Sequence, residues 1–100
     1  MQTLTFSEKT SQKQSQQFDD GFALGEKMAN DVVRQLDNAS PQARDTLISG
    51  LRDQYASFLS SSMELRQSGY SDESEGVLRF TGICKGIRET AARAGIDVEN

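Results

Sequence analysis

The sequence has no histidine and no tryptophan, and only one cysteine and one proline in 100 residues. Without histidine the chain lacks the commonest general base and the commonest transition-metal ligand. Ser-His-Asp and Cys-His nucleophile arrangements are excluded within one chain. Cys84 alone can form neither an internal disulfide nor a structural zinc site. No apolar run approaches the ~20 residues of a membrane-spanning helix, and no signal peptide with its apolar core opens the chain. The expectation is therefore a non-enzyme with no catalytic residue, no cofactor and no metal site, although a carboxylate-only site stays open. A single cysteine and no targeting segment fit a reducing cytoplasmic setting, the host cytoplasm if the chain is phage-encoded.

Apolar material is also scarce: hydrophobic residues make up 35% and aromatic residues 7%, and the mean hydropathy is −0.61. A chain of this length is one domain that buries roughly 60–65% of its unfolded surface. The composition implies a modest core beside a polar segment, or a core completed by a partner. The net charge is −4, which disfavours nucleic acid and anionic membranes and would draw the chain toward a basic protein surface.

The apolar residues that remain are spaced for helices. Residues 1–16, rich in Ser, Gln and Lys, read as a polar and disordered tail, or as a docking arm anchored by Leu4 and Phe6. Phe18, Phe22, Gly25, Ala29, Val32 and Leu36 recur at heptad-like steps and predict a helix over 17–38. Ser40 is an N-cap candidate and Pro41 suits the first helical position, so a second helix should run over 41–68. Its stripe is Leu47, Leu51, Tyr55, Phe58, Ser62 and Leu65, flanked by Ile48, Leu59 and Met63. Gly69 followed by Tyr70 reads as a helix stop. Ser71 or Asp72, with Glu75 in capping-box spacing, opens a third helix over 72–94, which Gly95 and Ile96 end. The third stripe is Val77, Phe80, Cys84, Ile87, Ala91 and Ala94. The fold class is all-α: a three-helix bundle occupying 17–100, or a helical hairpin plus a third helix. The expected core is Phe18, Phe22, Val32, Leu36, Leu47, Leu51, Tyr55, Phe58, Leu65, Val77, Phe80, Ile83 and Ile87.

Glycine is used against its propensity. Gly21 and Gly25 stand four apart in the first helix, and Gly82 and Gly86 do so in the third. Each costs about 1 kcal/mol against alanine in a helix interior. GxxxG spacing admits a close neighbouring backbone, so these pairs mark tight packing inside the bundle, a crossing with another subunit, or a hinge. Cys84, on the apolar stripe, reads as a buried and inert thiol.

Charge suggests two further readings. Arg79, Lys85, Arg88 and Arg93 make the third helix basic, but the acids that open it and the net charge argue against DNA reading. Asp19, Asp20 and Asp31 give the first helix an acidic face. The first functional expectation is a protein-interaction module, a structural or adaptor subunit that self-associates through helical faces. Its interface residues would be Phe58, Leu59, Met63 and Leu65, with Gly82 and Gly86. The alternative is a small acidic accessory protein or inhibitor, of bacteriophage or mobile-element type, that grips a basic surface of a larger host complex with Asp19, Asp20 and Asp31. A DNA-binding regulator comes third.

Overall fold

A computed structural model describes residues 6–99, with side chains from residue 15 onward. It contains three helices: α1 (Phe6–Leu36), α2 (Pro41–Gln67) and α3 (Glu75–Arg93). No strand occurs among the described residues. The expected all-α class and the three packed helices are what the structure shows.

The helix ends follow local chemistry. Ser40 caps α2 by accepting from the Ala43 amide at 3.2 Å, with Pro41 in the first turn. Arg44, one turn into α2, donates to the carbonyl of Leu36 at 3.0 Å, where α1 ends. Gly69 (φ 101°) and Gly95 (φ 78°) close α2 and α3 in matching motifs. The Tyr70 amide reaches back to Leu65 O and the Gly69 amide to Arg66 O; Ile96 and Gly95 repeat the pattern on Ala91 and Ala92.

Two boundaries differ from expectation. α1 begins at Phe6, not near residue 17. The run EKTSQKQSQQ holds no Gly or Pro and several good helix formers, but it lacks an apolar stripe, so periodicity does not reveal it. The docking-arm reading needed an extended segment at Phe6, and that residue is helical; its other anchor, Leu4, lies outside the described residues. α3 starts at Glu75 with Ser74 as N-cap, and the expected capping box does not form. Ser71–Ser74 closes a turn of its own, the Ser74 amide donating to Ser71 O at 3.1 Å. Asp72 is drawn away by Arg66, whose Nε donates to it at 2.7 Å.

The glycines decide how the helices pack. A Cβ built on Gly21 would stand 2.2 Å from Arg79 O, and one on Gly25 would stand 2.2 Å from Ile83 O. Reciprocally, Cβ atoms on Gly82 and Gly86 would lie 2.3 Å from Phe18 O and Phe22 O. A carbon–carbon bond adds about 1.5 Å, so each carbonyl oxygen is within about 3.8 Å of a glycine Cα, near the range of Cα–H···O contacts. Contact positions rise together along both chains, so α1 and α3 run parallel. Both GxxxG pairs are therefore consumed in one crossing inside the chain, which answers the question of subunit or self for Gly82 and Gly86.

α2 runs antiparallel against the other side of α3. Phe58 meets Phe80 at 6.1 Å between ring centroids, and the Cys84 thiol donates to Tyr55 O at 3.9 Å. Past the end of α3, Arg52 Nε donates to Asp97 O at 2.9 Å. α1 and α2 touch each other little, so α3 is the middle helix of a layer. The Cα extents are 56 × 35 × 14 Å. The buried core runs along α3 as Val77, Ile83, Ile87 and Ala91, joined by Ala29, Leu36, Leu51 and Tyr55. Phe18, Phe22, Val32, Leu47, Phe58, Leu65 and Phe80 are half-buried, not enclosed.

The crossing sets opposite signs for two glycine substitutions. Gly86→Ala should destabilise by at least the ~1–3 kcal/mol of overpacking, because the clash is with backbone. Gly50→Ala, in mid-α2 with open space around its Cα, should stabilise by about 0.4–1 kcal/mol. Urea denaturation of both variants checks the contrast.

Candidate functional site

The six expected interface residues do not form one surface. Gly82 and Gly86 face α1. Phe58 turns toward Phe80, and Leu65 lies over Gly76, its Cδ1 3.0 Å from where a Cβ would stand. Only Leu59 and Met63 remain open, at 39% and 48% exposure. They are one helical turn apart and so adjacent on the surface of α2. Of the acidic residues, Asp19 and Asp20 are exposed, and Asp31 pairs with Arg34.

Leu59 borders a cleft of about 140 Å³ between α2 and α3. Its polar lining is Ser62, Arg66, Thr81, Lys85 and Arg88, with no carboxylate among them. Ser62, the last of three consecutive serines on α2, is 1% exposed. Its hydroxyl donates to Leu59 O at 2.8 Å and receives Arg66 Nη1 at 3.4 Å. That bond lets a polar residue occupy a core position on α2, and the helix continues unbroken to Gln67. Lys85 places its ammonium 5.8 Å from the centroid of Phe18, a cation–π contact that ties α3 to α1.

The segment after α3 folds back over α2. Ile96 and Val98 are buried, while Asp97 and Glu99 point outward. Glu99 Oε1 accepts from Tyr55 Oη at 3.3 Å and from Arg88 Nη1 at 3.5 Å. This strap is absent from the core expected from sequence. The signal was present: Ile96-Asp97-Val98-Glu99 alternates apolar and polar residues at the period of extended chain.

Burial pushes the Tyr55 phenol above its ordinary value, and the neighbouring Glu99 carboxylate adds to this against the opposing Arg88. Burial likewise raises the Cys84 thiol, which Arg88 only partly counters. Cys84 therefore sits as a neutral thiol in the core, as expected from its place on the apolar stripe.

No group of His, Cys, Asp and Glu suited to a metal ion occurs among the described residues. Nor is any helix among them long and apolar enough to cross a membrane. No family model, curated protein or solved structure matches the chain.

Two measurements follow from the titratable groups. The folded chain holds the Tyr55 proton more tightly than the unfolded chain does, so its contribution to stability is complete below the ordinary value of 10.0 and is lost as pH rises through the higher folded value. Denaturation midpoints stepped through the alkaline range should fall, and Tyr55→Phe should remove part of that fall, leaving the share due to Cys84. At neutral pH, Cys84 should react with a disulfide reagent only as fast as the chain opens; immediate reaction in the native protein would contradict its burial.

Proposed function

We propose that the protein is a non-enzymatic interaction module that associates with a second copy of itself through α2. The observation that carries this reading is the shape of the molecule. Three helices lie in one layer with a Cα thickness of 14 Å and a radius of gyration of 16.2 Å. A compact chain of this length has a radius of gyration of about 13 Å.

A domain is ordinarily built of two layers around its core. A single layer leaves half-buried aromatic residues such as Phe58 and Phe80 at its face and Leu59 and Met63 open on α2. A two-fold contact of α2 with α2 would set Leu59 and Met63 of each copy against the other, ridge into groove.

The alternative, an acidic protein gripping a basic surface, draws on Asp19 and Asp20, both exposed. Helical geometry does not gather its residues. Asp20 and Asp31 share a side about 17 Å apart, and Asp19 is turned about 100° from Asp20.

Sedimentation equilibrium across the micromolar range tests the dimer. The wild-type chain should pass from monomer to dimer. Leu59→Asp with Met63→Asp should remain monomeric while unfolding within about 0.5 kcal/mol of wild type, as suits exposed sites. A wild-type chain that stays monomeric throughout would overturn the reading.

A further inference from the structure

The side chains that line the cleft between α2 and α3 include three cations and no carboxylate. Arg66, Lys85 and Arg88 line it with the hydroxyl-bearing Ser62 and Thr81, in a chain of net charge −4; Arg66 pairs with Asp72, Arg88 with Glu99, and the Lys85 ammonium leans over Phe18 of α1. Its volume of about 140 Å³ equals the liquid share of roughly four or five waters. That is room for one small anionic group and too little for a peptide. The neutral Cys84 and the Leu59 side chain form its apolar wall.

The chain already contains an example of the recognition. The Glu99 carboxylate, at the edge of an adjoining hollow that shares Tyr55 and Leu59 with the cleft, is held by the Tyr55 hydroxyl and the Arg88 guanidinium together. On the opposite side Arg66 is braced by Asp72 and Ser62. Lys85 lies between them on α3, its ammonium resting on the Phe18 ring. A guanidinium offers donors in a planar fork, and an ammonium adds a point charge that rotates to suit.

We propose that this cleft binds a small tetrahedral oxyanion, a phosphate either free or terminal on a small molecule, with Arg66, Lys85 and Arg88 as its donors and Glu99 as an internal competitor for Arg88. The site requires only one copy of the chain and does not depend on self-association.

Thermal unfolding and amide chemical shifts, followed on adding inorganic phosphate against sodium chloride at matched ionic strength and pH, test the proposal. Binding to the native chain alone raises the midpoint by mass action, so phosphate should raise it beyond chloride. The shift changes should centre on Ser62, Thr81 and Lys85. Lys85→Gln and Arg88→Gln together should abolish the phosphate-specific response, with the midpoint in chloride reporting whether the fold is kept. Glu99→Gln should tighten phosphate binding several-fold by removing the competing carboxylate. A simple phosphomonoester run alongside separates the sources: tighter binding than inorganic phosphate assigns the site to a phosphorylated small molecule, and weaker binding to the free ion. Equal responses to phosphate and chloride, or a phosphate response that survives the double substitution in a folded protein, would overturn the site. An unchanged affinity in Glu99→Gln would overturn the competitor role.

Discussion

The rest of the structure depends on the contact between two backbones. Four glycines, two on α1 and two on α3, let carbonyl oxygens of each helix approach the glycine Cα atoms of the other. Together they give up about 4 kcal/mol of helix propensity. Close approach of two long parallel helices offsets this, because dispersion contacts fall away steeply with separation. The crossing also fixes register. Gly21 and Gly25 fit only against Arg79 and Ile83, and that alignment carries Ile83 and Ile87 into the core and turns Lys85 toward Phe18.

A parallel pair cannot be joined by a short turn, so α2 must return the chain along the opposite side of α3. The connection costs little, since Ser40 and Pro41 start α2 and Gly69 ends it with local hydrogen bonds alone. With both neighbours bound to α3 and little contact between them, the molecule spreads into a layer. Two consequences meet on α2. Its outer residues Leu59 and Met63 stay open, and the groove it makes with α3 collects the arginines and the lysine that the helical period distributes along both elements.

The C-terminal strap completes the α2–α3 side. Gly95 takes the left-handed conformation that turns the chain off α3, and Ile96 and Val98 then cover α2. Arg52 holds the strap by the backbone oxygen of Asp97, and Tyr55 and Arg88 hold it by Glu99. Burial beneath this segment is what raises the Tyr55 phenol. The strap thus joins the packing of the fold to the electrostatics of the cleft.

Local signals in the sequence determined the helical class, the caps at Ser40–Pro41, the stops at Gly69 and Gly95, and the buried thiol, because each arises within a few residues of chain. They also marked the four glycines as helix positions awaiting a close neighbour. Periodicity missed the first turns of α1, which have no apolar stripe, but placed Ser62 on the stripe of α2, where a bond to its own helix lets its hydroxyl be buried. Only the tertiary structure decided that Gly21 and Gly25 meet Gly82 and Gly86 within one chain, and that Phe58 and Leu65 turn inward while Leu59 and Met63 do not. It alone put Arg66 and Arg88 on the lining of one cleft. The reason is physical: a helical period says which residues share a face, but which faces meet is settled by how closely two backbones can approach, a property of the pair and not of either sequence segment.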